Sequence, residues 1–276
     1  MTDDASVHVL AGAGAEIGET PLWHNGAIWW TDPVERRLLR ADGHWFEAVP
    51  VDNAIWSLAA LEGEGLVGSL DDRFARIGDD GTLKPGPVAK VAAGCRFNDM
   101  TAGADGTLWV GAMHRGVLAT RGSLYRAAGP DAVPVQVAGG LGVPNGMKLS
   151  GDGTTLFVID TLSRTLLAYP LVVDGLGEPV IVTDFLGLPG KPDGMTIDAR
   201  GHFWVAMWGG SCVVEIGSNG AALRQIDLPA PHVSSVGIAR DGRLLVSTSR
   251  MRLSPAALAA SPLSGALFEI RLGEGL

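Results

Sequence analysis

A turn followed by a short run of alternating apolar and polar residues recurs along the whole chain. It reads "HNGAIWWTD", "EGEGLVGSL", "ADGTLWVGAM", "GDGTTLFVID", "ARGHFWVAMW" and "ARDGRLLVST". Alternation with a period of two marks a half-buried β-strand, and a glycine ahead of it supplies the left-handed backbone of a hairpin turn. The turn glycines are Gly26, Gly65, Gly106, Gly153, Gly201 and Gly242, spaced by 39, 41, 47, 48 and 41 residues. A unit of that length holds about four short strands, which is one blade of a β-propeller. The pattern predicts an all-β, six-bladed β-propeller with four-stranded blades, residues 1–276 forming a single domain. Only "SPAALAA" reads as a helical turn. "SVHVLAG" and "GALFEIRL", near the two ends, are both strand-like and are expected to close the same blade, which removes open sheet edges.

The repeat also sets a phase. Eight residues before the later turn glycines stand Ser57, Asn98, Asn145, Asp193 and Ser234, and seven before Gly26 stands Glu19. Each precedes an apolar run suited to the innermost strand of a blade. Equivalent positions in successive blades lie at one depth around the axis, so these six residues are expected to form a polar ring. Glu19, Asn145 and Asp193 bring the strongest oxygen donors. Two carboxylates and an amide oxygen suit a hard divalent cation such as Ca²⁺, Mg²⁺ or Mn²⁺. Three protein ligands leave positions for water and substrate. Taken singly, Asn145-Gly146 and Asp193-Gly194 are also ordinary turn pairs. The shared phase favours the site.

Composition narrows the class. With 46% hydrophobic residues, 39 glycines and 8 tryptophans, the chain has a core's worth of apolar material in a turn-rich frame rather than a helical bundle. The net charge of −9 and scattered basic residues, with "ERRLLR" the one basic cluster and read as solvated surface, argue against nucleic acid or an anionic membrane as partner. No apolar run approaches membrane-spanning length, and "MTDDASVHVL" has no basic-then-apolar leader, so a soluble, cytoplasmic protein is expected. Cys95 and Cys212 form no CxxC pair and read as reduced thiols. The histidines lack HxxxH spacing, "GAGAEIG" misses GxGxxG, and no GxSxG elbow exists. Trp29, Trp109 and Trp204 occupy matching repeat positions and read as packing between blades, whereas Trp208 lies past its strand, at the pocket mouth.

The motifs "GAEIGETPLW", "CRFNDMTAGADGTLWVGAM", "VPNGMKLSGDGTTLFVIDT" and "KPDGMTIDARGHFWVAMWGG" resemble, in order and spacing, the senescence-marker-protein/regucalcin/gluconolactonase family. The resemblance implies a six-bladed propeller with one divalent cation at its axis. By motif, the ligands are Glu19, Asn145 and Asp193, and the sugar contacts are Arg96 and Asn98 of the "RxND" segment. "GAMHRG" and "WVAMWGG" point toward bacterial sugar-acid lactonases acting on xylono-, arabinono- or gluconolactone, and His114 joins the substrate-binding candidates. Three departures stand out. Met100 replaces a glycine common after "RFND", "VGIARDGRLLVST" replaces an "FGG" segment, and His114-Arg115 stand where some relatives carry an acidic sugar-binding residue.

The expected activity is metal-dependent hydrolysis of an aldonolactone, a small-molecule sugar lactone, to the open sugar acid. The cation (Ca²⁺, Mg²⁺, Mn²⁺, Fe²⁺ or Zn²⁺) would polarise the lactone carbonyl. Asp193 is the expected catalytic base toward water, and hydroxide held by the cation is the competing nucleophile. Arg96 either meets the sugar or pairs with an acid such as Asp99. Two other functions stay open: hydrolysis of other esters or organophosphates on the same site, and a calcium-binding or interaction propeller without catalysis.

Overall fold

All six turn glycines take left-handed backbone, with φ of 83°, 91°, 82°, 68°, 79° and 83° in chain order. A Cβ added at Gly26, Gly65, Gly106 or Gly153 would meet nothing within 4 Å. Backbone conformation, not space, therefore requires glycine there. The computed structural model describes residues 5–173 and 175–272; the remaining residues of the expected single-domain span, including the start of "MTDDASVHVL", lie outside the described residues.

Each turn joins an innermost strand to the next strand outward. Four separate sheets follow one another along the chain, each a meander. The first contains Glu19–His24, Ala27–Asp32, Arg37–Ala41 and Phe46–Pro50, and the second Ser57–Leu61, Gly65–Ser69, Phe74–Ile77 and Leu83–Pro85. The third contains Cys95–Ala102, Leu108–His114, Gly122–Ala127 and Val135–Leu141. The fourth contains Pro144–Leu149, Thr155–Asp160, Thr165–Val172 and Val180–Asp184, with the short Gly175–Leu176 beside Thr165–Val172.

The last seven strands and the first form one continuous sheet of eight. Lys191–Ile197, Phe203–Trp208, Cys212–Ile216 and Ala222–Asp227 make one half. His232–Ile238, Leu244–Ser249, Leu267–Arg271 and Ser6–Ala11 make the other. A single pairing, Trp208 with His232, joins the halves. Pairing thus sets apart four blade-like sheets and one double-width sheet, where the repeat predicts six blades. The expected meeting of the ends is seen directly, since Ser6 pairs with Arg271 and Ala11 with Leu267.

The innermost strands of the six units contact one another in a closed cycle: Glu19–His24 meets Ser57–Leu61, and so on around to His232–Ile238, which meets Glu19–His24 again. Six hydrophobic clusters fill the spaces between neighbouring units among the described residues. Trp29, Trp109 and Trp204 are all buried there, as their matching positions predict. Full burial of such a side chain contributes about 1.5–3 kcal/mol. The architecture is all-β and propeller-like, with almost no helix. The one helix among the described residues, Pro255–Ala260, is capped by Ser254, whose hydroxyl accepts the Ala257 N–H at 3.2 Å. No helix among the described residues is long and apolar enough to cross a membrane. Cys95 and Cys212 are free thiols.

Candidate active site at the axis

Five of the six innermost strands break register at the level of the polar ring. The pairing slips between Glu19 and Leu22, Phe97 and Met100, Asn145 and Met147, Pro192 and Met195, and Val233 and Ser235. A bulge turns residues out of the ladder and re-aims their side chains, and here it does so for Asn98, Asp99, Asp193 and Ser234. Only Ser57–Leu61 keeps regular pairing.

The glycines after Asn145 and Asp193 have a different purpose from the turn glycines. A Cβ at Gly146 would lie 2.6 Å from the Asp193 carbonyl oxygen, and one at Gly194 would lie 2.7 Å from Ser235 Cα. Both pairs sit within strands, which corrects their reading as turn chemistry. Glycine there lets neighbouring innermost strands approach closely enough for their ring residues to touch.

The contacts run in sequence from unit to unit. Arg96 Nη1 donates to the Phe97 carbonyl at 2.6 Å and to Asn98 Oδ1 at 2.8 Å. Asn98 Nδ2 donates to Asn145 Oδ1 at 2.7 Å and to the Pro144 carbonyl at 3.0 Å. Asn145 Nδ2 donates to Asp193 Oδ1 in a short contact and to Thr161 Oγ1 at 3.1 Å. Ser57 and Ser234 instead stitch the strands together. Ser57 Oγ accepts the Thr20 hydroxyl at 2.9 Å and the Met100 N–H at 3.1 Å, and Ser234 Oγ donates to the Gly18 carbonyl at 2.5 Å.

Electrostatics separates the carboxyls from ordinary surface acids. Burial, then the charges of Asp193 and Asp99, push Glu19 well above the usual carboxylate range against the pull of Arg96. Burial and the Asp99 charge do the same to Asp193. Asp99 is raised to about 6 by burial, opposed by the Gly146 N–H it accepts at 2.8 Å and by Lys148 and Arg96. Three mutually repelling carboxyls, with Asp99 and Asp193 buried and Glu19 half-buried, are relieved either by protons or by a cation. Lys148 is the resident positive charge, its ammonium pushed down by burial. It lines a cavity of about 190 Å³ beneath the ring, with Thr20, Ser57, Asp99, Thr101 and Ser235.

The donor set fits a hard divalent cation. Asn145 presents its amide nitrogen to Asp193. Asn145 and Asp193 are in direct side-chain contact, so an amide oxygen and a carboxylate are within reach of one ion.

On one side of the ring, the Arg96 guanidinium lies over the Trp56 ring, 3.3 Å from its centroid. Burial and the neighbouring Arg115 push Arg96 down to about 10, which leaves it protonated near neutral pH. It forms no ion pair with Asp99 among the described residues. Trp56 Nε1 donates to Asp71 Oδ1 at 2.8 Å, and Asp71 Oδ2 pairs with Arg115 at 2.6 Å. On the other side, Trp208 stacks on His232 with ring centroids 4.4 Å apart. His114 is not brought into this network. Its Nδ1 accepts the Gly116 N–H at 3.0 Å, and its Nε2 packs where a Gly94 side chain would be.

Sequence reasoning missed Asp99 as a member of the cluster, Lys148 beneath it, and the Trp56–Asp71–Arg115 chain. Asp99 and Lys148 stand on innermost strands beside ring residues, which was the available signal. The bulges that bring Asp99 inward leave no mark in the alternation.

A second group, Asp198, His202 and Glu215, has ligand-type atoms within 4.8 Å of one another. Its oxygens are already engaged. Arg200 pairs with Asp198 at 2.6 Å and Glu215 at 3.0 Å, Arg224 pairs with Glu215 at 3.0 Å, and Trp204 Nε1 donates to Asp198 at 3.1 Å. His202 Nδ1 lies 2.8 Å from Glu215 Oε1.

An all-β, propeller-like ring whose axis holds buried carboxyls, an amide and a lysine defines the class. The chain belongs to the SMP-30/gluconolactonase/LRE-like family, whose model matches residues 17–250. It is 31% identical over 227 residues to a pentonolactonase of Haloferax volcanii, covering 80% of this chain and 76% of that one. It is 28% identical to a 6-deoxy-6-sulfogluconolactonase of Pseudomonas putida, covering 93% and 91%. Among solved structures it is similar to a calcium-binding protein, regucalcin, from Agrobacterium tumefaciens, with a TM-score of 0.87, 27% identity, and 98% and 94% of the two chains covered.

Proposed function

We propose that this protein is a sugar-lactone hydrolase, a single-domain six-bladed propeller that opens an aldonolactone to its sugar acid on one divalent cation held by Glu19, Asn145 and Asp193. The closed cycle of six innermost strands supports six blades, with the double-width sheet counting as two that share the Trp208–His232 pairing. The observation that carries the function is the buried contact chain from Asn98 through Asn145 to Asp193 at the axis, in a chain whose relatives are named as lactonases.

When bound, the cation supplies Lewis acidity to the lactone carbonyl oxygen. Water's oxygen bonds to the carbonyl carbon and its proton passes to a carboxylate oxygen of the buried Asp193, the proposed base. The ring C–O bond breaks, and the ring oxygen leaves as a hydroxyl by taking the proton that Asp193 received from water. Asn98 and Arg96 orient the sugar, Arg96 through Nε and Nη2, which make no hydrogen bond among the described residues. Arg96 is held for this by the Trp56 ring beneath it.

The test is proton release from a panel of aldonolactones by chelator-stripped protein, with Ca²⁺, Mg²⁺, Mn²⁺, Fe²⁺ or Zn²⁺ returned and blanks for spontaneous opening. Calorimetry of cation binding runs in parallel. Saturable, cation-dependent turnover is the expected result. Cation binding at one site without turnover of any lactone would replace this reading with the one the regucalcin likeness favours, a calcium-binding protein.

A further inference from the structure

Positive charge is gathered on one side of the axis. At the ring, Lys148 acts on Asp99, and Arg96 acts on both Glu19 and Asp99. Toward the rim a second guanidinium joins Arg96. Arg96 and Arg115 lie close enough for Arg115 to depress the Arg96 proton affinity, with Asp71 paired to Arg115. The arrangement is built: Trp56 supports Arg96 from below and its Nε1–H anchors Asp71. Arg96 Nε and Nη2 are unbonded among the described residues. The Arg115 and Asp71 side chains are 50% and 54% exposed, and a pair that exposed is weakly held and yields to a better-matched anion. Across the rim, Arg252 makes no ion pair among the described residues and lies near His232, whose imidazole is held down by burial and then by the Arg252 charge.

Neutral sugar hydroxyls do not call for paired guanidiniums. Planar forks of donors match carboxylates and tetrahedral oxyanions. On a chain of net charge −9, an anionic substrate also needs a local cationic patch to be drawn to the mouth rather than repelled. We propose that Arg115, together with Arg96, forms a rim that selects lactones carrying a second, anionic group (carboxylate, sulfonate or phosphate) at the end of the sugar away from the lactone carbonyl. The proposal rests on the lactonase reading above.

The experiment compares glucono-1,5-lactone with its 6-phosphate as a matched pair, using cation-loaded protein and subtracting spontaneous opening. The expected ratio of kcat/KM, phosphorylated over neutral, is about tenfold or more, as one well-placed charged contact gives. Arg115→Gln should lower that ratio about tenfold, mainly through KM, and Arg115→Glu should lower it further. Arg115→Lys should keep most of it, which separates charge from a folding defect. Salt near ~0.5 M should shrink the ratio in the wild-type protein. Turnover of both lactones with a ratio near one, or an unchanged ratio in Arg115→Gln, would overturn the inference alone. Absence of turnover with every lactone would remove the lactonase reading and the inference with it.

Discussion

The strand Lys191–Ile197 separates two acidic clusters with opposite fates. Asp193 lies among carboxyls and is pushed well above the ordinary range by burial and by Asp99. Asp198, five residues on and ~16 Å away along an extended chain, is also raised by burial, yet Arg200, the His202 amide and the Trp204 indole outweigh that and leave it below its ordinary value. Both acids are buried. Burial therefore does not distinguish a site from a structural ion-pair network; the missing counter-charge does. Around Asp198 and Glu215 the chain supplies its own guanidiniums, and around Asp193 it supplies no ion-pair partner among the described residues, the charge that the proposed cation would bring.

The sharpest way to break this comparison is to remove one acid from each cluster. Asp193→Ala takes away a proposed ligand and the proposed base together, and lactone turnover should fall by at least about 10³-fold, with circular dichroism showing the β fold intact. Substantial cation-dependent turnover in this variant would mean that the reaction does not pass through Asp193.

A smaller effect should appear in stability against pH. Glu19, Asp99 and Asp193 all hold protons more tightly in the folded chain than an ordinary carboxyl does. The folded state thus binds more protons than the unfolded one, and stability falls as pH rises from ~4 through about 6, the Asp99 value, and beyond. Asp198, with its lowered value, acts in the opposite sense and loses its contribution only in acid. Chelated protein should melt at lower temperature at pH 7 than at pH 5. Cation at ~100 times its Kd should add about 2.7 kcal/mol at pH 7, some ~5–10 °C in Tm. That gain should vanish toward pH ~4. A cation-induced shift that is independent of pH would place the ion away from these carboxyls.

Glu215→Gln should have the smallest effect on turnover, within about threefold, while costing about 1–3 kcal/mol of stability by loosening its bonds to Arg200, Arg224 and His202. The estimate stays below that for a fully buried pair because Arg200 is 42% exposed and can turn to water. Cation stoichiometry by elemental analysis should remain one. Loss of the ion here would reverse the roles of the two clusters.

Much of this arrangement was legible in the sequence because it rests on periodicity. The six turn glycines, the matching tryptophans and the phase of Glu19, Asn98, Asn145 and Asp193 follow from a repeat whose physical unit is a hairpin. Other features depend on where strands depart from regularity. Nothing in the alternation of "CRFNDMTA" shows that Asp99 turns inward, because a bulge adds a residue without altering composition. Gly146 and Gly194 look like turn residues until the neighbouring strand is seen to press on them. "ERRLLR" reads as solvated surface, yet Leu38 and Leu39 are fully buried and Arg37 pairs with the buried Asp32. His114 ends its strand, and its Nδ1 accepts the Gly116 N–H rather than joining the contacts between ring residues.

The pairing of Ser6–Ala11 with Leu267–Arg271 also bears on how the chain reaches its fold. The first four sheets are each made from strands adjacent in sequence, and such local contacts form early and fast. The final sheet has to wait for the strand that ends at Arg271. Until then Val7, Val246, Phe268 and Ile270, which pack in one cluster, stay uncovered. Because the entropy of closing a loop grows only logarithmically with its length, this clasp costs little in equilibrium stability. Its price is time, during which an open ring exposes apolar flanks and unpaired strand edges to other chains.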